Sequence, residues 1–239
     1  MKKKYELGTF IQLYHPALAE ILSDAGYEWI AIDLEHSVIS LSECEEMIRI
    51  ISLKGKKPFV RLTSNDENQI KRVLDSGAKG LIIPMVKSPE EVKFALKASK
   101  YPPQGKRGVG LARAQNYGEN FDEYNDWQKN NIEVIIQIEH IEAVNNLEKI
   151  LSVEGISGIF IGPYDLSGSM GIPGKFKDKS FLEAIGKIDQ ISDSKKIRKG
   201  IHIIEPDLDE LQNAITNDFY YIGFSMDTRM LWYSAKLPF

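Results

Sequence analysis

The chain has 239 residues with a formal net charge of −4, and 43% of them are hydrophobic, which is enough for one large α/β domain or two small ones. Its basic residues are scattered and no apolar run approaches the roughly 18 residues of a membrane span, so we predict neither a nucleic-acid partner nor a membrane partner. A single cysteine, Cys44, excludes an internal disulfide framework, and the N-terminal sequence lacks the apolar region of a signal peptide, so a cytoplasmic protein is predicted.

Strands and helices are predicted to alternate along the chain. Between most strands lie segments with apolar residues at helical spacing, at residues 16–26, 42–55, 66–77 and 88–99. Near-continuous apolar strands alternating with amphipathic helices are typical of a parallel sheet covered by helices. Eight such units predict an α/β fold, a (β/α)8 TIM barrel that forms a single domain over residues 1–239. The predicted strands are residues 9–14, 29–35, 57–63, 80–86, 133–139, 158–164, 200–205 and 219–225.

Two segments depart from this regular alternation. Residues 101–131 are too long for an ordinary connection, and we predict a functional or interface loop there. Only twelve residues follow Asp227, so the eighth helix is predicted either to be short or to pack outside its own barrel. Because residues 228–239 include Leu231, Trp232 and Tyr233, this segment is predicted to contact a neighbouring subunit.

Polar and ionisable residues recur where the predicted strands end. In a (β/α)8 barrel these ends form the face that carries the active site, and charge is rarely buried there without a partner, a metal or a function. Glu139 and Asp165, at adjacent strands, predict a site for one hard divalent cation with positions left for substrate and water. The rim residues are Asp33, Glu35, His36, Arg61, Gln137, Glu139, Asp165, His202 and Glu205.

Several other residues leave alternatives open. Lys87, just past the fourth strand, is the only rim lysine that could form a Schiff base, which disfavours a covalent lysine mechanism relative to a metal. Arg107 and Arg113 either orient an anionic substrate or fasten the long loop. The remaining histidines, His15 and His140, are predicted to be structural or solvated, as is Cys44.

Six runs of the sequence carry a resemblance to a known family. The chain resembles the metal-dependent (class II) pyruvate aldolases of the HpcH/HpaI family, which include the 4-hydroxy-2-oxo-heptanedioate and 2-keto-3-deoxy-sugar-acid aldolases. The similarity extends over residues 8–227, and the motifs come in the same order. The runs are IDLEH, VRLT, LDSGAKGLIIPMV, YPPQGKRGVGLARA, IQIEHIEAVNNLEKIL and IFIGPYDLSGSMG.

This resemblance implies a fold, a cofactor and a reaction. The implied fold is a barrel of the phosphoenolpyruvate/pyruvate-binding type that exchanges its last helix with a neighbour in a homo-oligomer, commonly a hexamer. The implied cofactor is a divalent metal ion, Mg²⁺, Mn²⁺ or Co²⁺. The implied reaction is the reversible cleavage of a 4-hydroxy-2-oxo acid to pyruvate and an aldehyde through a metal-stabilised pyruvate enolate.

The resemblance also implies roles for individual residues. Glu139 and Asp165 match the metal ligands, and Arg61 matches the clamp for pyruvate and its enolate. His36 matches the acid–base histidine, with Asp33 as its carboxylate partner. The residues that match substrate contacts are Gln137, the backbone around Gly162, Pro163 and Tyr164, and Asp75, which would reach the site of an adjacent subunit.

The chain also differs from many relatives at the implied site. Tyr164 stands where many have a small residue, and His202 and Glu205 stand where many are more apolar. If His202 faces the barrel interior, we expect its neutral imidazole to donate to a hydroxyl of the aldehyde; if it faces outward, it is a packed histidine. Glu35 is interpreted as a supporting or structural residue.

The sequence is compatible with two other functions. The same enolate chemistry would serve a lyase acting on a CoA thioester or an oxaloacetate decarboxylase. From a different class, the barrel could be a catalytically silent ligand-binding protein, which the presence of Arg61, Glu139, Asp165 and His36 disfavours.

Overall fold

The computed structural model describes residues 5–236, whose eight strands pair in parallel and in chain order into a closed barrel, so the predicted (β/α)8 fold is confirmed. The single-domain boundaries stay a prediction. The strands are β1 (Glu6–Ile11), β2 (Trp29–Asp33), β3 (Lys57–Arg61), β4 (Gly80–Ile83), β5 (Glu133–Ile138), β6 (Gly158–Ile161), β7 (Lys199–Ile203) and β8 (Tyr221–Met226).

Helices follow the strands around the outside of this barrel. Several begin behind a capping side chain; Ser88, for example, forms a reciprocal capping box with Glu91. The helices are α1 (Pro16–Asp24), α2 (Leu41–Leu53), α3 (Glu67–Asp75), α4 (Pro89–Ser99), α5 (Phe121–Asn131), α6 (Ile141–Asn145), α7 (Leu147–Ile150), α8 (Pro163–Ser169), α9 (Lys179–Ser194), α10 (Leu208–Thr216) and α11 (Asp227–Lys236).

Aromatic rings fill the barrel interior, and glycines on neighbouring strands make room for them. A Cβ added at Gly8 would lie 2.0 Å from the Trp29 ring, and one at Gly80 would lie 2.6 Å from the Phe59 ring. Likewise, a Cβ at Gly200 would lie 2.5 Å from the Phe160 ring. The rings of Trp29 and Phe59 stack with centroids 5.4 Å apart. The interior is therefore a packed floor beneath the carboxyl ends of the strands.

Strand β2 shows why the sequences of the strands are almost continuously apolar. Trp29 and Ala31 belong to the interior cluster, whereas Ile30 and Ile32 pack in the larger cluster between strands and helices. Both faces of β2 are therefore buried, as is usual for strands of parallel sheets.

The first strand lies three residues earlier than predicted, at Glu6–Ile11 instead of residues 9–14. Charged Glu6 and flexible Gly8 do not look like strand residues in the sequence. Gly8 belongs to the strand because the Trp29 ring occupies the space of its missing side chain.

The long segment at residues 101–131 has more regular structure than predicted. It contains a 3₁₀ turn at Arg113–Gly118 and helix α5. The sequence does not indicate α5 because the helix is rich in Asn and Asp, which have low helix propensity. Arg107 is buried, forms an ion pair with Asp75 on α3 and donates to Tyr124 Oη at 2.9 Å. Arg113 donates to the Ser76 carbonyl at 2.8 Å. Both arginines therefore fasten the segment, and its role at an interface stays a prediction.

The last described helix, α11, exposes large apolar side chains. Leu231, Trp232 and Tyr233 are 63%, 49% and 48% exposed. The predicted helix exchange stays a prediction, and residues 237–239 of the predicted interface segment lie outside the described residues. Across residues 5–236, no helix combines the length and apolarity that crossing a bilayer requires.

The Gly8→Ala variant tests the packing inside the barrel. Its new methyl group would overlap the Trp29 ring, so we expect the free energy of unfolding to fall by about 1–3 kcal/mol in urea titrations. The matched control is Gly186→Ala on the exposed face of α9, where no atom lies within 4 Å and a gain of about 0.5–1 kcal/mol is expected. Equal effects of the two substitutions would contradict this account of the interior.

Candidate active site

A buried ion pair joins the ends of β2 and β3. The strand register places Asp33 beside Arg61, and the guanidinium donates to both carboxylate oxygens, from Nε at 2.9 Å and from Nη2 at 2.7 Å. Gln12, just after β1, donates to Asp33 Oδ2 at 2.8 Å. The Asp33 side chain is fully buried and that of Arg61 is 11% exposed. Such a bidentate pair holds the guanidinium in one plane.

Hydrogen bonds keep Asp33 ionised despite its burial. Burial alone would raise its pKa, but the hydrogen bonds and charge of Arg61, together with the Gln12 amide, hold the pKa below its usual range. The backbone N–H groups of Glu35 and His36 also donate to Oδ1, at 3.0 and 3.2 Å. The loop after β2 is therefore wrapped around this carboxylate.

His36 lies close to Glu35 rather than to the carboxylate expected to partner it. Asp33 contacts the His36 backbone and not its ring, whereas His36 Nε2 lies 3.7 Å from Glu35 Oε2. The His36 side chain is 54% exposed, so solvent and substrate can reach the ring. The sequence suggested an Asp33–His36 contact because it cannot show that the Asp33 oxygens are already taken by Arg61.

Glu35 is closer to the chemistry of the site than its sequence interpretation implied. Burial, and next the charge of Glu139, raise the pKa of Glu35 to about 7. Its Oε2 atom is buried without a hydrogen-bond partner and lies 3.5 Å from Arg61 Nε. A carboxyl group in these surroundings can carry or release a proton near neutral pH.

Glu139 is held in place at the end of β5 by three neighbours. The backbone N–H of Met85, a residue with a positive φ of 54°, donates to Glu139 Oε1 at 2.6 Å. The Gln137 amide donates to Oε2. A Cβ on Gly162 would lie 2.8 Å from the Glu139 carboxylate, so only glycine allows the backbone after β6 to approach so closely.

These groups fit a divalent cation. Burial and the charge of Asp165 raise the pKa of Glu139, although the hydrogen bonds from Met85 and Gln137 oppose this. Arg61 is already paired with Asp33, which leaves the charges of Glu35, Glu139 and Asp165 in excess. Within residues 5–236, no three or more His, Cys, Asp or Glu side chains are grouped so that they could hold a metal, so the protein would supply at most two such ligands here. A cation here would use the two carboxylates and complete its shell with water and substrate oxygens, as Mg²⁺ does.

A cavity of about 230 Å³ opens above the aromatic floor at these strand ends. It brings together most of the residues predicted from the sequence. Phe160, from the interior layer, forms part of its floor, and Tyr164 lies at its edge, 58% exposed. The lining residues are Gln12, His36, Arg61, Gln137, Phe160, Ile161, Gly162, Pro163, Tyr164, Asp165, His202, Ile204 and Met226.

Other predicted residues lie away from this cavity. Asp75 is at the end of α3 and pairs with Arg107, so its contribution to an adjacent subunit stays a prediction. Glu205 is exposed and pairs with Arg229 of α11. Lys87 does not line the cavity either.

His202 faces the cavity, but its donor is already used. Its Nε2 lies 3.0 Å from the Ser225 carbonyl oxygen, and its ring stacks on Phe10 with centroids 4.2 Å apart. A carbonyl oxygen can only accept, so Nε2 must donate to it. The prediction that this ring donates a hydrogen bond to a substrate hydroxyl is therefore wrong for Nε2. In the neutral ring the other nitrogen, Nδ1, has no proton and can only accept.

The predictions for His15, His140 and Cys44 hold. The two histidines cap α1 and α6, accepting backbone N–H groups at 3.1 and 3.2 Å. Cys44 is buried, and burial raises the pKa of its thiol to about 12, so it is not a nucleophile.

Two contributors escaped the sequence analysis. Gln12 is a polar residue at the end of an apolar strand, the same signal that identified the other rim residues, but the misplaced first strand concealed it. Met85 acts through its backbone N–H, and no pattern of side chains reveals such a contact.

A (β/α)8 barrel with its ionisable groups gathered at the carboxyl ends of the strands defines a barrel enzyme. The chain belongs to the HpcH/HpaI aldolase/citrate lyase family, whose model matches residues 6–231, so the predicted resemblance is confirmed. The family is divalent-metal dependent.

Named relatives agree with this assignment. A 4-hydroxy-2-oxo-heptane-1,7-dioate aldolase from Escherichia coli is 36% identical over 97% of this chain and 88% of its own length. A hydroxypyruvate/pyruvate aldolase from Roseobacter denitrificans is 32% identical over 96% and 89%. The crystal structure of an HpcH/HpaI aldolase from Desulfitobacterium hafniense superimposes with a TM-score of 0.89 at 29% identity, covering 98% and 91% of the two chains. The predicted class, a carbon–carbon lyase, is confirmed by these relatives.

Removing the guanidinium tests the buried ion pair. In Arg61→Met the Asp33 carboxylate loses its cation, and we expect the free energy of unfolding to fall by about 3 kcal/mol at neutral pH. Adding Asp33→Asn should restore at least half of that loss, because the buried charge is then gone.

The loss of stability in Arg61→Met should depend on pH. In the wild type, the lowered pKa of Asp33 contributes stability above the pKa of an unfolded aspartate, about 4, and that stability is lost as the pH falls through the folded pKa. In Arg61→Met, burial raises the pKa instead, so the difference from wild type should be largest at neutral pH and shrink as the pH falls. A difference that is constant with pH would contradict the assignment.

Proposed function

We propose that this protein is a divalent-metal-dependent aldolase that reversibly cleaves a 4-hydroxy-2-oxo acid to pyruvate and an aldehyde. The observation that carries the proposal is a group of three carboxylates, Glu139, Asp165 and Glu35, whose charges act on one another beside an arginine that is already paired. Of these groups, Asp165 and the arginine, Arg61, line the cavity. The aldolase names of the relatives support the same activity.

Glu139 and Asp165 would hold the cation, for which we propose Mg²⁺, Mn²⁺ or Co²⁺. A cation bound there would act as a Lewis acid beside the keto group of pyruvate and would acidify the neighbouring methyl protons. The buried position of Glu139 supports this role, because electrostatic effects are stronger where water is excluded.

The residues around the cation site would orient the 2-oxo acid. Arg61, kept rigid by Asp33, would place a fixed positive charge beside the keto oxygen, where negative charge develops. Gln137 has a buried Oε1 atom without a partner, which leaves it an acceptor for a substrate group. The backbone at Gly162, Pro163 and Tyr164 would receive the carboxylate.

His36 would move the proton of the C4 hydroxyl. Its ring is accessible and lies near Glu35, whose pKa of about 7 suits exchange of a proton with an imidazole. We assign Asp33 the task of holding Arg61 and the loop that carries His36.

The assembly and location are also proposed. The exposed apolar side chains of α11 support a homo-oligomer, which we propose to be a hexamer in which Asp75 reaches an adjacent site. The single, buried cysteine supports a cytoplasmic location.

Conservative changes at the two carboxylates test the proposed function. In Glu139→Gln and Asp165→Asn, we expect Mn²⁺ affinity measured by calorimetry, and pyruvate release from a 4-hydroxy-2-oxo acid, each to fall on the order of 100-fold or more, because a ligand oxygen loses its charge. A chelator should abolish pyruvate release by the wild type.

The matched control is Glu123→Gln on the exposed face of α5, which should keep both properties. Circular dichroism should show the same folded barrel in all variants. Wild-type turnover in either site variant, or turnover insensitive to chelator, would contradict the metal site. Metal binding without any lyase activity would instead favour the silent ligand-binding barrel.

A further inference from the structure

Strand β8 contains a bulge beside the cavity. Gly8 pairs with Gly223, but Phe10, two residues later, pairs with Met226, so β8 has one extra residue. Ser225 within this bulge is buried and has a positive φ of 55°, a conformation that costs a residue with a side chain about 1 kcal/mol or more. Strain of this kind is maintained only where surrounding contacts require it.

The bulge gives its carbonyl two donors. The Ser225 oxygen accepts from Thr9 Oγ1 at 3.2 Å and from His202 Nε2 at 3.0 Å, while the Ser225 hydroxyl donates to the Ile204 carbonyl at 3.0 Å. These bonds connect β1, β7 and β8 directly under the cavity. The orientation of the His202 ring is therefore set by backbone geometry and by the stack on Phe10.

This geometry determines the tautomer of His202. Because Nε2 carries the proton given to the carbonyl, neutral imidazole leaves Nδ1 as a bare acceptor. Burial lowers the pKa of His202 to about 4, so the ring is neutral near pH 7. Among the described residues, none donates to Nδ1.

We propose that His202 Nδ1 accepts a hydrogen bond from a hydroxyl group on the aldehyde half of the substrate, so that the enzyme prefers hydroxyaldehydes. The inference rests on the proposed aldolase function and deepens it by naming the aldehyde class. His202 and Arg61 come from β7 and β3, strands on opposite sides of the closed barrel. Their side chains meet over Phe10, whose ring centroid lies 5.3 Å from the Arg61 guanidinium carbon and 4.2 Å from the His202 ring, so a substrate held by Arg61 lies within reach of His202.

The remaining lining residues support this choice of aldehyde. Ile204 and Met226, next to His202, offer no side-chain hydrogen bond to a polar group of the substrate beyond a weak thioether. Arg61 is the only arginine or lysine among the lining residues that the structure describes, and Asp33 already occupies it. An aldehyde ending in a carboxylate would find no unpaired cation in this chain's cavity, whereas a hydroxyl finds Nδ1.

The test compares two acceptors that differ by one hydroxyl, glycolaldehyde and acetaldehyde, in the metal-loaded enzyme with pyruvate. We expect the wild type to have the higher kcat/KM for glycolaldehyde, and His202→Leu to lower the glycolaldehyde-to-acetaldehyde ratio about tenfold or more, as loss of one buried hydrogen bond implies. His202→Gln, whose amide can donate to Ser225 and still accept, should recover part of the ratio. Met226→Leu, which reshapes the same wall without removing an acceptor, should leave the ratio within about twofold of wild type.

Two further readouts separate this inference from the aldolase function itself. Exchange of the pyruvate methyl protons in D₂O needs no aldehyde and should persist in His202→Leu. Nitrogen-15 spectra should show a neutral His202 with its proton on Nε2 between pH 6 and 8. An unchanged ratio in a folded, exchanging His202→Leu variant would overturn the inference, as would an equal loss with both aldehydes or a proton on Nδ1. A wild type that neither exchanges nor forms aldol product would instead overturn the proposed function.

Discussion

The carboxylate of Asp33 organises one side of the active-site rim. It is buried completely, and it remains ionised because Arg61, Gln12 and the backbone after β2 all donate to it. A buried charge that lost these donors would cost several kcal/mol, so the three elements around it are constrained together. Asp33 therefore fixes the position of Arg61, the only arginine that lines the cavity among the described residues. It also fixes the loop that carries His36.

The layer beneath explains why the charged groups lie where they do. Aromatic rings packed over glycines fill the barrel, so polar side chains on the inward face are accommodated only at the strand ends. Phe10 contacts both the interior and the cavity. Its ring packs edge-on against Trp29 in the interior, and it stacks against the His202 ring on the cavity side. The packing of the core and the shape of the substrate cavity are thus parts of the same arrangement.

The sequence predicted the fold and most of the cavity because those features follow from patterns along single strands. Alternating strands and helices predict the barrel, and polar residues at strand ends predict its rim. The contact between Glu35 and His36, by contrast, depends on a contact between strands, because Arg61 on β3 occupies the Asp33 carboxylate. The donor from Met85 and the bulge at Ser225 arise from positive φ angles at residues that are not glycine, for which the sequence carries no signal. Helix α5 was missed because its apolar residues are few and its polar residues favour turns.

The most direct measurement is the exchange of pyruvate methyl protons for deuterium, followed by proton nuclear magnetic resonance in D₂O with the wild-type protein alone. The account predicts that exchange is rapid with Mg²⁺ or Mn²⁺, stops on addition of excess chelator, and returns when the metal is restored. Exchange that continues unchanged in chelator, or folded protein that catalyses none with any of Mg²⁺, Mn²⁺ and Co²⁺, would contradict it.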